Sequence, residues 1–515
     1  MLRRFEEALQ YLDQAIGINP NYARAHRNKG SVLQENRQYE QAISSYTKAF
    51  EIEPAYPFLL GNLVHLQQHI CQWKNLAEFF PLLLKKVDQG YSCIYPFSML
   101  ATPSSPIQQK RCAIIYTKFN APLAERLFSH KRKSHKKVRL GYVSSDFREH
   151  AVAPLIAGLI EEHDRQKFEI VGISLFDATN DPMRARLKAA FDRFFDVPNL
   201  TEKEIAELIF HNEIDIVIDL NGFTRLHRTK IFSHRPAPIQ VNFLGYPGTL
   251  GAEYFDYIIA DSVLIPLEHR NFYTEKIAYL PKTYQANDFK RPILKKQFNR
   301  SDLELPDQSF VFCSFNNSYK ITPGIFDIWM RLLLKVEGSV LWLLEDNASA
   351  IFNLKNEAKK RGVTGDRLIF ASRIKTAGHL ARHKCADLFL DTIYYNGHTT
   401  TSDALWAGLP VVTHCGNTFA SRVGASVLMA AGLPELIANS IEDYENIALR
   451  LAIEPERLQN IREKLASNRQ TCALFNTKQY TKFLESAFSQ MWDCFQGGRN
   501  FENIFVMDDV EKKQL

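Results

Sequence analysis

The chain is poor in the features that mark several protein classes. Its eight cysteines in 515 residues include no CxxC pair and no His/Cys spacing suited to zinc, so they read as reduced, mostly buried thiols with no metal site. No basic-then-apolar leader opens the chain, and no apolar run approaches the ~18 to 20 residues of a membrane span. A soluble, cytoplasmic protein with no membrane partner is therefore expected. Lys plus Arg (63) exceed Asp plus Glu (57) by only 6, too little over this length to imply a nucleic-acid partner. Hydrophobic residues make up 45% and charged residues 23%, which excludes a disordered, collagenous or coiled-coil chain and leaves room for about three domains.

What is present begins with a repeat. Phe5, Ala8, Leu12, Ala15 and Pro20 recur as Tyr39, Ala42, Tyr46, Ala49 and Pro54, each pair 34 positions apart, the period of tetratricopeptide helix pairs. Small Ala residues let two helices approach, an aromatic fills the gap, and Pro stops the second helix. A degenerate third copy follows at Trp73, Leu76, Phe80 and Leu83, with Asp88 where Pro is due. Residues 1–90 are expected to form a truncated array that Met1 enters in mid-repeat. It serves either as a platform for its neighbour or as a groove that helps hold a protein partner. Residues 91–137 read as an irregular linker ending in the solvated basic run Lys131 to Lys137.

Beyond it, short apolar runs alternate with amphipathic stretches. Val138 to Val143, Phe168 to Leu175, Ile214 to Leu220, Ile239 to Leu244, Tyr257 to Ala260 and Lys276 to Leu280 read as strands. The cycle restarts at Phe310 to Phe315, Val340 to Leu344, Arg367 to Ala371, Asp387 to Asp391 and Pro410 to Thr413. This predicts an α/β fold with two facing, doubly wound Rossmann-like lobes, 138–295 and 296–476. Over 477–515 an amphipathic helix is expected to cross back to the first lobe, followed by a partly loose tail.

Neither a Walker A loop nor GxGxxG follows the first strand of either lobe, which argues against a P-loop NTPase or an ordinary NAD enzyme. The candidate phosphate site is Asn396-Gly397-His398-Thr399-Thr400, where a tight turn opens a helix whose free N–H groups point at one spot. Lys320, after the strand ending at Phe315, could reach the same crevice and help neutralise a diphosphate without metal. Asp403 shares the helix face of Thr399 and suits ribose hydroxyls. His379 and Arg382, three apart, offer a flat ring and a donor fork to a base. Taken singly, such features are more often a plain N-cap and a surface pair; their joint placement after successive strands points to a site. In the first lobe, Asp146 and His150 follow the opening strand, and Gly245 sits in the glycine-rich turn Leu244 to Gly251.

The strings Gly141-Tyr-Val-Ser-Ser-Asp-Phe147, Arg235-Pro-Ala-Pro-Ile-Gln240, Leu244-Gly-Tyr-Pro-Gly-Thr249, Phe315 to Lys320 and Asn396-Gly-His-Thr-Thr400 with Asp403 resemble the protein O-linked N-acetylglucosamine transferase and SPINDLY family. The resemblance runs from about Phe5 to Trp492. It implies a GT-B fold and metal-independent, inverting transfer of a sugar from a nucleotide sugar to Ser or Thr of protein or peptide acceptors, with no cofactor. It places His150 and Asp146 beside the reacting sugar and Gly245 against its ring. Around the diphosphate it places Asn317, Lys320, His398, Thr399 and Thr400, with Asp403 on the ribose and His379 and Arg382 at the uracil. Tyr116 stands roughly where some relatives carry another active-site histidine, and Thr376 where a ribose-contacting lysine occurs. Asn316-Asn317 and Lys320-Ile-Thr-Pro323 look like the SPINDLY branch, which uses GDP-fucose. Asn396-Gly-His398, Asp403 and Ala420-Ser-Arg-Val423 look like the N-acetylglucosamine branch, so UDP-N-acetylglucosamine is the expected donor. A transferase of a non-protein acceptor and a repeat scaffold with a vestigial sugar site are the rival expectations.

Overall fold

A computed structural model describes residues 4–128, 135–177, 181–295 and 298–508. The basic residues Lys131 to Lys133, the start at Met1 and the last seven residues of the tail lie outside these. The chain divides into two compact units, 1–115 with 300–373 and 116–299 with 374–515.

Numbered along the chain, the strands are β1 (Val138–Ser144), β2 (Phe168–Ser174), β3 (Arg193–Asp196), β4 (Ile216–Asp219), β5 (Ile239–Asn242), β6 (Tyr257–Ala260) and β7 (Lys276–Tyr279). Then come β8 (Val311–Ser314), β9 (Val340–Leu344), β10 (Leu368–Ala371), β11 (Leu388–Leu390), β12 (Val411–His414), β13 (Ile437–Ala438) and β14 (Ile504–Phe505).

The first unit opens with helices Phe5–Ile18, Ala23–Glu35, Tyr39–Ile52, Leu59–His69 and Leu76–Asp88. The repeat chemistry works as its spacing requires. Ala42 and Ala49 are fully buried, and Tyr46 lies so close to Gly30 that a Cβ there would stand 2.6 Å from its ring. Leu33, Leu59, Leu63 and Leu66 complete this core. The degenerate third copy still buries Leu76 and Leu83, although Pro81 sits inside its helix. The same unit carries three parallel strands in the order β10-β9-β8.

The second unit is built on an all-parallel sheet in the order β14-β7-β6-β5-β4-β1-β2-β3. A second parallel group runs β11-β12-β13. β1, β2, β4 and β5 are buried almost throughout, as near-continuous apolar runs covered on both faces require. Helix Thr477–Gln496 buries Tyr480, Leu484, Ala487 and Met491 and packs on helix Ala153–Glu162. There Glu485 Oε1 accepts from Asp164 N at 2.7 Å and pairs with His163 Nδ1 at 2.9 Å.

Four readings need correction. The expected linker 91–137 contains helices Pro96–Met99 and Pro106–Asn120. The second lacks an apolar stripe, since Ile107 and Phe119 are exposed while Gln109 is buried, so periodicity hides it. Its start is nonetheless written locally: Ser105 N donates to Gln108 Oε1 and Gln108 N to Ser105 Oγ, a reciprocal cap. β3 escapes because its sequence RFFD is only partly buried and carries charge at both ends. Helices Ile441–Ile453 and Pro455–Asn468 were not anticipated. The expected loose tail supplies β14, where Asn503 Oδ1 accepts from Ile277 N at 2.8 Å and Phe505 stacks on Tyr279. Two residues are too short for alternation to show.

All eight cysteines are free. Among the described residues, no helix is long and apolar enough to cross a membrane. Gly30→Val is expected to destabilise the repeats by about 1–3 kcal/mol through overpacking against Tyr46, read as a lower midpoint in urea denaturation.

Candidate functional site

The chemistry-bearing residues follow strand ends. β1 runs into Ser145-Asp146, where Asn221, just beyond β4, ties the loop down. Its Nδ2 donates to Asp146 Oδ2 (2.9 Å) and Ser145 Oγ (2.8 Å), and its Oδ1 accepts from Ser145 N at 2.7 Å. Asp146 is buried, with its other oxygen 3.5 Å from His150 Nδ1 and 3.6 Å from the Arg148 guanidinium. The His150 ring is 38% exposed, so one edge faces Asp146 and the rest is open. Burial pulls its pKa below the usual imidazole value against the raising field of Asp146, with Arg148 adding to the fall. The neutral ring is favoured. Nearby, burial pushes the Asp219 carboxyl up to about 6 despite donors from Asn221 N and Gly222 N.

Gly245 has a reason to be glycine independent of any ligand. A Cβ there would lie 2.0 Å from the Leu220 carbonyl oxygen. The residue before it, Leu244, is held at φ +70°, a left-handed conformation costly for a branched side chain. Buried Glu275 fixes the turn, accepting from Leu250 N at 2.7 Å and Thr249 Oγ1 at 2.5 Å.

The helix Thr399–Ala407 is presented by Asp391 at the end of β11. Asp391 Oδ1 accepts from Thr392 N (2.8 Å) and Gly397 N (2.6 Å), and Oδ2 accepts from Thr413 Oγ1 (2.8 Å). A Cβ on Gly397 would meet the Thr400 and Thr401 hydroxyls at 2.5 and 2.6 Å. His398 stands at the position before the helix, with Nδ1 3.3 Å from Tyr284 Oη. Thr399 Oγ1 donates to Ala151 O at 3.2 Å, which brings the helix start against the segment bearing His150.

Asp403 is buried and paired with Arg291, whose guanidinium lies 5.6 Å over the Trp406 ring. Burial raises the Asp403 pKa against the lowering pull of Arg291. One carboxylate oxygen is therefore committed to protein. Arg382 is no surface residue. It is 2% exposed, and its Nη2 lies 2.7 Å from His379 Nδ1, so it orients the ring that was expected to lie against a base. Thr376 Oγ1 donates to Glu149 Oε1 at 3.4 Å. Tyr116 Oη lies 3.0 Å from His227 Nε2, whose Nδ1 is 2.8 Å from Thr229 Oγ1, and burial pulls His227 down to about 4.

In the first unit, Asn317 precedes and Lys320 ends the 3₁₀ turn Ser318–Lys320 that follows β8. Lys320 is 8% exposed, and its backbone N donates to Asn317 O at 3.0 Å.

Sequence reasoning missed Asn221, Glu275, Tyr284, Arg291 and Asp391. Each is polar and buried, and all but Asp391, which holds Thr392 and Gly397 close by, lie far in sequence from what they hold, so no local spacing announces them.

Parallel Rossmann-like sheets that follow helical repeats along the chain, with the candidate site residues just beyond strand ends, define a fold of the GT-B type. The family model "Glycosyl transferase family 41" matches residues 83–301 and 296–484, and a tetratricopeptide model matches 2–22 and 23–56. The chain belongs to glycosyl transferase family 41. It is similar to a probable UDP-N-acetylglucosamine–peptide N-acetylglucosaminyltransferase SEC of Arabidopsis thaliana, 34% identical over 475 residues, covering 87% of this chain and 48% of that protein. A UDP-N-acetylglucosamine–peptide N-acetylglucosaminyltransferase of Caenorhabditis elegans is 30% identical over 568 residues, covering 85% and 49%. A probable enzyme of the same title, SPINDLY of Petunia hybrida, is 28% identical over 408 residues, covering 75% and 41%. The chain thus spans about half the length of the curated relatives it matches. Among solved structures, a mutant O-GlcNAc transferase of Thermobaculum terrenum superposes with a TM-score of 0.79 at 27% identity, over 97% of this chain and all of that one.

Arg291→Met leaves the Asp403 carboxylate buried and unpaired. It is expected to cost about 3–5 kcal/mol at neutral pH, and less in acid where Asp403 takes up a proton, measured by urea denaturation at both pH values.

Proposed function

We propose that this protein moves N-acetylglucosamine from UDP-N-acetylglucosamine to Ser or Thr hydroxyls of proteins, with inversion and without a bound metal ion. The carrying observation is the Thr399–Ala151 contact, which sets the helix start at His398 to Thr400 beside the Asp146–His150 pair. The relatives' titles support the donor and the peptide acceptor.

The acceptor oxygen attacks the anomeric carbon while the bond from that carbon to the diphosphate oxygen breaks, its electron pair leaving with UDP. Charge grows on the diphosphate. The amides of the first helical turn and the Lys320 ammonium oppose it, and such groups, fixed in advance, are each worth a few kcal/mol. Asn317, Thr399 and Thr400 add polar contacts to the diphosphate, Asp403 offers its second oxygen to the ribose, and His379, steadied by Arg382, lies against the uracil. Gly245 leaves room at the sugar. His150, kept neutral by partial burial, accepts the acceptor proton or orients that hydroxyl while Asp146 stabilises the charged ring. The repeats help hold the acceptor protein.

Radiolabelled UDP-N-acetylglucosamine and GDP-fucose, each incubated with the pure chain and peptide acceptors, test this reading. Labelling from the first donor, unchanged by EDTA, is expected. Labelling from GDP-fucose alone would favour the SPINDLY-like alternative carried by Asn316-Asn317, and metal dependence would defeat the cation-free site. Lys320→Ala is expected to lower kcat by about 10²–10³-fold with little change in melting temperature.

The pH profile checks His150. Because its pKa is lowered, the neutral ring persists as pH falls through the ordinary imidazole value of about 6.5. The acid limb of kcat/KM is expected to have its midpoint below that value and to vanish in His150→Asn. An unchanged acid limb in the variant would remove His150 from proton transfer.

A further inference from the structure

The turn that bears Asn317 and Lys320 is held from outside the strand that delivers it. Ser318 Oγ donates to His69 O at 2.6 Å and to Asp346 Oδ2 at 2.8 Å, with the hydroxyl shared between the two acceptors, and Ser318 N donates to the same carboxylate oxygen at 3.1 Å. The other oxygen of Asp346 accepts from Arg373 Nη2 at 2.9 Å, and that nitrogen also donates to Asn317 Oδ1 at 3.1 Å. Asp346 is thus joined to the turn at Ser318 directly and at Asn317 through Arg373. Its pKa is lowered against the cost of burial by His69, Ser318 and Arg373, so the carboxylate stays charged.

The third party is the end of repeat helix Leu59–His69. Its last carbonyls, which have no partner inside the helix, are capped by side chains from the α/β part of the same unit. Asn347 Nδ2 donates to His69 O at 2.9 Å and Asn353 Nδ2 to Ile70 O at 2.8 Å. Apolar contacts follow the same path: the Tyr319 ring lies 5.1 Å from His65, and Trp73 packs edge-on against Phe326 at 5.3 Å. A turn of three residues cannot fix its own orientation, and here it is fixed by a carboxylate on one side and a helix end on the other.

We propose that Asp346 is a positioning residue for the donor diphosphate, acting through Ser318 and Arg373 on Lys320 and Asn317, with the end of repeat helix Leu59–His69 as the opposing support. This rests on the donor reading above. The repeats then serve donor binding as well as any acceptor.

The test compares the full-length protein with Asp346→Ala, Lys320→Ala and the double variant, in kcat/KM for UDP-N-acetylglucosamine. Asp346→Ala is expected to lower this value about 10- to 100-fold in the wild-type background, mainly through kcat as Lys320→Ala does, with the KM for the acceptor peptide unchanged. In the Lys320→Ala background the same change is expected to cost roughly threefold or less, because the group it positions has gone. Equal losses in both backgrounds, or a rise in acceptor KM of the same size, would overturn the proposal. Should Asp346→Ala melt early, Ser318→Ala and its conservative partner Ser318→Thr replace it: loss in the first with recovery in the second supports the assignment, and equal activity of both defeats it. Wild-type protein that fails to use or bind the nucleotide sugar sinks the donor reading itself, whereas normal wild-type turnover with an unaffected Asp346→Ala sinks only this inference.

Discussion

One buried carboxylate sets where the free amides of the candidate anion cradle point. Asp391 has no exposed surface, and it spends one oxygen on the Gly397 and Thr392 amides and the other on the Thr413 hydroxyl. The chain must therefore reverse over residues 392–398 before it can enter the helix at Thr399. Within that reversal Asn396 donates to Thr392 O at 2.6 Å and accepts from Gly424 N at 3.2 Å. The N–H groups of the first helical turn are fixed before any ligand arrives, which is the condition under which dipoles stabilise developing charge without reorganising.

The first-lobe end of the same unit is made by the same device with different residues. Asn221 holds the Ser145–Asp146 loop as Asp391 holds Gly397, and Glu275 holds the turn at Gly245. In each case a buried polar side chain next to a strand terminus satisfies backbone or polar groups that a loop would otherwise leave unpaired. The strained φ of Leu244 and the 2.0 Å approach that excludes a Cβ from Gly245 show how tightly these turns are set. Small polar loops thus acquire the rigidity of the sheet beneath them.

How far the sequence discloses this depends on distance along the chain. The 34-residue repeat and the strand–helix alternation are local and legible: Ala42, Ala49 and Tyr46 sit where the spacing puts them, and helix Thr399–Ala407 opens at the tight turn expected there. The candidate site residues themselves follow from strand ends and from resemblance. Their supports do not, because Asn221 lies 75 residues from Asp146, Arg291 112 from Asp403 and Tyr284 114 from His398. Arg382 shows the limit most clearly. Spacing correctly made it a neighbour of His379, but only packing reveals that it is buried and directed at that ring.

The repeats show the same gradient in physical form. The first helix, Phe5–Ile18, buries none of its residues, whereas Leu59–His69 buries eight of eleven. A helix so enclosed, with its terminal carbonyls bonded to Ser318, Asn347 and Asn353, has no face left for a partner and cannot move without disturbing the turn at Lys320. The first helix, which carries Tyr11 and Ile18 in the open, is free of that obligation. Burial along the repeats thus rises toward the helix that supports the turn at Lys320.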